Sequence, residues 1–304
     1  MEKIAIIVPA YKRRFLQATL NSIAQQSCKN FILYIGDDAS PENLEPIVRS
    51  YEHTIKLVYH RFEQNLGKSD LAGHWERCIA LSSEPLIWLF SDDDIMPQDG
   101  IERVLAASAK YGTEKVMFRL PLVVINDEGN TVSTNLPFQS YEKISGYNFL
   151  LSKLGKGMHT AAIEYIFSRD VWQNSNGFIK FPMAWCSDDA TWASFADYSG
   201  GMITLPGNPV GWRNIEGQNI SNSTCFDKKK LKATRFLGEW LNNKYPPHKG
   251  DKEFKQSLQT YISVVLRHSI HNNYYLKDLT NICATLWEPT PRAALHVAFH
   301  HILK

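Results

Sequence analysis

The chain has 304 residues, 44% of them hydrophobic and 21% charged, with a formal net charge of +2. That length suits one large α/β domain, or one domain plus a substantial appendage, in an ordinary soluble composition. The near-neutral balance excludes a broad nucleic-acid footprint.

Five cysteines, Cys28, Cys78, Cys186, Cys225 and Cys283, include no C-x-x-C pair. They fit reduced thiols better than a disulfide framework. No stretch approaches the ~18 apolar residues that cross a bilayer. The start at Met1 runs into an apolar strand, which is not the pattern of a signal peptide. The expectation is a cytoplasmic protein whose membrane contact, if any, is peripheral.

Ile4-Ala5-Ile6-Ile7-Val8 is a continuous β-branched run, as in a strand buried on both faces, and Pro9 ends it. Leu16, Leu20, Ile23 and Ala24 follow at helical spacing. Phe31 to Ile35 is a second strand, ending in Gly36-Asp37-Asp38. Ser40-Pro41-Glu42 opens a helix, with Ser as cap and Pro in the first turn. Ile55 to Tyr59 is a third strand. A helix with Trp75, Cys78, Ile79 and Leu81 leads to the strand Leu86 to Phe90. Alternating strands and helices of this kind make an open, mainly parallel sheet flanked by helices.

After Pro97 the pattern is less regular. Val116 to Phe118 and Leu120 to Ile125 read as strands, with a turn at Asp127-Glu128-Gly129-Asn130 before Thr131-Val132. Ala161 to Phe167 reads as another strand, and Ser168-Arg169-Asp170 leads into a short helix stopping near Gly177. From about residue 226 the chain reads as helical. Leu231, Phe236, Leu237, Trp240 and Leu241 form one apolar stripe, and Tyr261, Val264, Val265 and His268 form another. The run Lys228-Lys229-Lys230 with Lys232 and Arg235 reads as a solvated helix face.

The chemistry concentrates at strand ends. Asp92-Asp93-Asp94 comes one residue after the apolar run that ends at Phe90. Like charges this close repel, and a cation relieves them; oxygen-rich sites suit Mg²⁺ or Mn²⁺. The carboxyl ends of strands are where open α/β sheets bind ligands. Pro9-Ala10-Tyr11 and Asp37-Asp38 reach the same edge. A carboxylate there can accept a base N–H, and Tyr11 can pack on a ring. The plainer alternatives are an Asx turn for Asp37-Asp38 and a cap at Asp94 for a helix starting near Pro97. A second acidic pair, Asp188-Asp189, lies among Trp185 and Trp192. One of that pair caps a helix over Ala190 to Ala196.

Taken in order, these segments resemble a family 2 glycosyltransferase with the GT-A fold. The matching residues are Ile6 to Arg13, Ile35 to Ser40, Asn65-Leu66-Gly67 and Leu89 to Pro97. Weaker matches are Phe167 to Val171, Gly177-Phe178 and Ser187-Asp188-Asp189. The resemblance implies an inverting, metal-dependent hexosyltransferase-like enzyme using a nucleotide-sugar, a UDP-sugar, in bacterial surface polysaccharide assembly. It places Pro9, Ala10 and Tyr11 at the nucleotide, with Asp38 first and Asp37 second at the base. Asp92 falls on the ribose side and Asp93 or Asp94 on the metal, Mn²⁺ or Mg²⁺, in a register left open. Asp189 matches the catalytic base, with Asp188 where relatives carry Glu. Lys68 or Arg77 replaces an Arg expected before the Asp motif. Gly211-Trp212-Arg213 lacks a His that relatives carry, and Arg213 is expected at the phosphate.

The implied layout is a catalytic domain over 1–225, with a nucleotide-binding half (1–97) and an acceptor-side half (98–225). A helical extension occupies 226–304. The partners implied are the donor and a glycan or lipid-linked glycan acceptor. The segment Arg292 to Lys304, with His296 and His300, packs on the catalytic domain or on a second subunit of a homodimer, or else lies on a membrane surface. The competing readings are a nucleotidyltransferase and a catalytically idle sugar-nucleotide-binding protein.

Overall fold

A computed structural model describes residues 3–135, 142–215, 227–246, 251–254, 256–258, 260 and 261. An eight-stranded mixed sheet runs through the molecule in the order β3-β2-β1-β4-β9-β5-β10-β8. Its first half is parallel: β1 (Ile4–Ala10), β2 (Phe31–Asp37), β3 (Leu57–Arg61) and β4 (Leu86–Leu89). The register pairs Ala10 with Asp37 and Ile7 with Leu89, so the carboxyl ends of these strands share one edge. β1 continues through Pro9 to Ala10 instead of stopping at Pro9.

β9 (Tyr165–Ser168) runs antiparallel to both β4 and β5 (Met117–Arg119). Beyond them lie β10 (Met202–Thr204), parallel to β5, and β8 (Lys143–Ile144), antiparallel to β10. A separate sheet of β6 (Leu122–Ile125), β7 (Thr131–Asn135) and β11 (Val210–Arg213) was not expected from the sequence.

The alternation of β1 explains its all-apolar sequence. Ile4, Ile6 and Val8 pack with Leu16, Leu20 and Ile23 of α1 (Leu16–Ala24), Val48 of α2 (Glu45–Arg49) and Ile101 and Val104 of α4 (Gly100–Tyr111). Ala5 and Ile7 belong to the opposite core, with α3 (Leu71–Ile79), α5 (Gly146–Gly155), α6 (Arg169–Asn174), α7 (Ser187–Tyr198) and α8 (Asp227–Lys244). Side chains that point to alternate faces each find a hydrophobic layer.

Several local expectations shift. α2 starts at Glu45, because Ser40 spends its hydroxyl on the Tyr11 carbonyl (2.6 Å) and the Glu42 N–H (3.1 Å). The stretch expected as strand from Ala161 begins as a 3-10 turn at Ala162–Glu164. On α8, Leu237 and Leu241 of that stripe are buried, and Ala233 is buried beside them. Lys230 is buried there as well, 4.7 Å over the Trp185 ring, so that face is not wholly solvated. Val264, Val265, His268 and residues 292–304 lie outside the described residues.

Candidate active site

A cavity of about 760 Å³ opens at the carboxyl edge of the parallel strands and extends to the start of α7. Pro9 and Tyr11 line it, whereas Ala10 is fully buried behind them. Asp38 also lines it. Its carboxylate accepts from the Leu66 and Gly67 N–H groups, both at 2.8 Å, and from Arg77. A Cβ on Gly67 would stand 2.7 Å from Asp38 Oδ2, so glycine is what permits this loop to close on the carboxylate.

Asp37 is elsewhere. It is fully buried, accepts from Tyr59 Oη (2.5 Å), Arg61 Nη1 (2.7 Å) and Ser40 N (2.8 Å), and does not line the cavity. Asp38 is thus the one of the pair that reaches the cavity. Lys68 stands exposed at the cavity wall, while Arg77 is drawn back onto Asp38 and the Phe62 ring (3.8 Å). His74, also lining the cavity, accepts from Arg77 Nε through Nδ1 (3.0 Å). Burial pushes it down to about 4, so it is neutral near neutrality.

The three aspartates do different things. Asp92 Oδ2 accepts from the N–H groups of Tyr11 and Lys12, both at 2.7 Å, and so fixes the turn after β1. Asp94 accepts from Arg213 N (2.7 Å) and from Ser91 Oγ. It does not cap α4, which begins at Gly100 behind Asp99. Asp93 is the least buried, taking the Ser91 hydroxyl on Oδ1 (2.9 Å) and facing Lys12 Nζ with Oδ2 (3.9 Å). Burial, then the charge of Asp93, raises Asp92 to about 6 and Asp94 well above the usual range. Among the described residues, no group of three or more His, Cys, Asp or Glu is arranged to hold a metal.

Arg213 does not line the cavity. Its guanidinium is spent on the carbonyls of Asp93 (2.8 Å), Asn126 (2.6 Å) and Asp127 (2.7 Å), tying β11 to the turn after β6. These contacts make Arg213 a clamp between β11 and that turn.

Asp188 and Asp189 sit inside the first turn of α7, whose cap position is Cys186, not either aspartate. Both line the cavity. Asp189 Oδ1 takes the Thr160 hydroxyl at 3.1 Å and faces Lys153 Nζ at 3.3 Å. Burial, then the charge of Asp189, raises Asp188 to about 7.

The loop before α7 is strained. Met183, Ala184 and Cys186 have φ of 62°, 55° and 60°, a region L-residues avoid. Ser187 Oγ holds this loop by accepting Phe181 N (2.9 Å), and Thr191 Oγ1 accepts Ile179 N (2.9 Å). All three left-handed residues line the cavity. Backbone strain collects where surrounding structure over-determines a functional loop.

Sequence reasoning passed over Lys153, Thr160, Met183, Ala184 and the role of Tyr261, which closes the wall with its hydroxyl 3.3 Å from Cys186 Sγ. The Lys153 signal was there to find. It lies four residues after Phe149 and three after Leu150, on the buried face of its own helix.

A glycosyl transferase family 2 profile matches residues 5–171. The chain belongs to that family. It is 28% identical over 117 residues to validoxylamine A glucosyltransferase of Streptomyces hygroscopicus subsp. jinggangensis, 38% of this chain and 27% of that protein. It is 28% identical over 168 residues to an uncharacterized glycosyltransferase of Haemophilus influenzae, 53% of this chain and 52% of the other. The chain thus spans about a quarter to a half of the length of these curated relatives.

In structure it is similar to S. aureus TarS 1-349 in complex with UDP-GlcNAc. The TM-score is 0.71 at 15% identity, covering 98% of this chain and 88% of that one. The mannosyltransferase PcManGT of Pyrobaculum calidifontis, in complex with GDP-Man and Mn²⁺, gives a TM-score of 0.50 at 16% identity, covering 99% and 87%. At such identities the likeness is one of fold, and the fold is the expected GT-A type.

Proposed function

We propose that this family 2 member is an inverting glycosyltransferase that moves a sugar from a UDP-sugar to a hydroxyl of a glycan. One observation carries the reading. A single cavity is lined at one end by Tyr11, Asp38 and Asp92 to Asp94 and at the other by Asp188 and Asp189. Its size is in the range of small-molecule sites. Nucleotide recognition is assigned to Pro9, Tyr11 and Asp38, with Lys68 near the phosphates and Asp92 toward the ribose.

The acidic end fits Mn²⁺ or Mg²⁺. Asp92 Oδ1 and Asp93 Oδ2 accept no hydrogen bond from the described residues. A cation that also binds a diphosphate takes only one or two protein carboxylates. When bound, such a cation supplies charge neutralisation to a departing diphosphate. The protein's own steps lie at the other end. The acceptor hydroxyl gives its proton to Asp189 while its oxygen bonds the anomeric carbon. The bond from that carbon to the diphosphate breaks on the opposite face, and UDP leaves.

The setting proposed is bacterial surface polysaccharide assembly, with residues 1–225 as catalytic unit and 226–304 as extension. Among the described residues no helix is long and apolar enough to cross a membrane. A cytoplasmic site of action, with peripheral contact to a lipid-linked acceptor, is part of the same proposal.

The test is thermal melting with UDP and a panel of UDP-sugars, with and without Mn²⁺, alongside Asp189→Asn. Stabilisation by UDP that grows with Mn²⁺ is expected, because a ligand bound to the folded state raises its apparent stability. Asp189→Asn should keep that stabilisation and lose transfer. A wild-type rate in Asp189→Asn would sink the assignment.

A further inference from the structure

We propose that Lys153 is the positioning residue of this enzyme, holding Asp189 through Oδ1 so that Oδ2 is presented to the acceptor. The proposal deepens, and rests on, the reading of Asp189 as base. It starts from a helix crossing. Gly146 opens α5 directly against α7, where a Cβ would stand 2.0 Å from the Ala193 carbonyl oxygen. Gly146 N also donates to Asp197 Oδ1 (2.9 Å). This close approach lays α5 along α7 and carries Lys153, two turns on, to the first turn of α7.

There Lys153 Nζ donates to Thr160 Oγ1 at 3.0 Å and stands 3.3 Å from Asp189 Oδ1. Thr160 in turn donates its hydroxyl proton to the same Oδ1. Both contacts fall on one oxygen. Among the described residues nothing donates to Oδ2. A carboxylate anchored by one oxygen and offering the other is what a base needs, since proton transfer depends first on geometry.

Lysine 153 is committed to this corner, not to the nearby buried acid. Glu164 is paired with Arg119, both essentially inaccessible to solvent. The other titratable groups facing the corner are Asp188, Cys186, Tyr165 and Tyr261. Burial holds the thiol and both phenols protonated, so among the described residues Lys153 is the cation set against the two aspartates. Its charge opposes the burial that lifts Asp188. Removing the cation therefore moves the Asp188 titration to higher pH.

The experiment compares Lys153→Met, Lys153→Arg and Thr160→Val in the full chain. UDP release is measured from whichever of UDP-Glc, UDP-GlcNAc or UDP-Gal stabilises the protein most. In parallel, the carboxyls are titrated by NMR on ¹³Cγ-aspartate-labelled protein, with Asp188→Asn and Asp189→Asn to assign the signals. Lys153→Met should lower kcat about ten- to hundredfold with an unchanged donor KM, a part of what a general base contributes. It should also move the Asp188 titration up, by about one pH unit. Lys153→Arg should restore both. If Lys153→Met does not fold, Thr160→Val carries the test, with a loss of about five- to tenfold in kcat and no shift in the Asp188 titration.

Wild-type kcat and an unmoved titration in a folded Lys153→Met protein would overturn the proposal. So would a kcat loss that Lys153→Arg fails to recover. Wild-type transfer by Asp189→Asn would instead end the base reading. The titration would still report whether Lys153 holds the pair.

Discussion

Two halves of the cavity are built by different means. From β1 to α4, the side chains lining the cavity hang from the carboxyl ends of parallel strands, and backbone N–H groups help hold the carboxylates of Asp38 and Asp92. Asp38 takes Leu66 and Gly67, and Asp92 takes Tyr11 and Lys12. From β5 to α8, the carboxylates stand on the first turn of α7, behind a left-handed loop, and side chains hold Asp189. Asp189 takes Thr160 and Lys153. A strand end with backbone donors needs few particular residue types around it. A helix start held by side chains depends on each of them.

The difference can be broken most sharply at the two acidic ends. Asp189→Asn removes the only proton acceptor assigned to the reaction, and transfer should fall by about 10²- to 10⁴-fold. The nucleotide half offers a paired control in stability. Asp37→Ala and Asp38→Ala each remove a buried carboxylate with several donors, and each should cost about 3 kcal/mol in denaturant melts. Only Asp38→Ala should also weaken UDP binding by calorimetry, because only Asp38 lines the cavity. Equal UDP affinity in the two variants would erase that distinction.

The half built on α5 and α7 should be more sensitive to packing at a distance. Gly146→Ala places a methyl against the Ala193 carbonyl and should cost about 2 kcal/mol, with kcat falling as Lys153 moves off Asp189. A fully stable Gly146→Ala protein would mean that α5 and α7 can part without consequence.

A smaller effect is readable in pH. Asp188 titrates at about 7 in the folded protein, above the ordinary aspartate value it has when unfolded. The unfolded chain releases that proton first, so this group's contribution to stability is full at low pH. It is lost as pH rises from about 4 through 7. Asp188→Asn should flatten that fall in melts taken across this range. A slope unchanged from wild type would show that Asp188 is solvated like a surface carboxylate.

These halves were not equally legible. In the first, hydrophobic runs stop at Gly-Asp-Asp and Ser-Asp-Asp-Asp, so sequence order and spatial placement coincide. The fold and the acidic edge follow from adjacent letters. What was illegible there is local. Asp37 and Asp38 differ by one residue, and the pleat sends the first into Arg61 and Tyr59 and the second to the cavity. In the second half the strands are short and mixed. β9 inserts antiparallel between β4 and β5, and Arg213 is claimed by carbonyls that only the folded β6 turn supplies. Thr160 and Lys153 meet Asp189 across 29 and 36 positions of chain, a pairing no local pattern announces.

The loop before α7 shows why it escaped reading. Left-handed backbone is announced by Gly, Asn or Asp, yet here Met183, Ala184 and Cys186 adopt it. Such a residue carries about 1–2 kcal/mol of strain, which surrounding contacts must offset. Ser187 and Thr191 hold the loop from the helix side. Ala184→Gly removes that strain at the loss of one methyl, while glycine's extra freedom in the unfolded chain takes back about 0.5–1 kcal/mol. The net gain should be at most about 1 kcal/mol, or a rise of about 2–4 °C in Tm. If the strain pre-shapes the acceptor wall, the stabilised variant should transfer more slowly under subsaturating acceptor. A variant that gains stability and keeps its full rate would make the strain incidental to the fold.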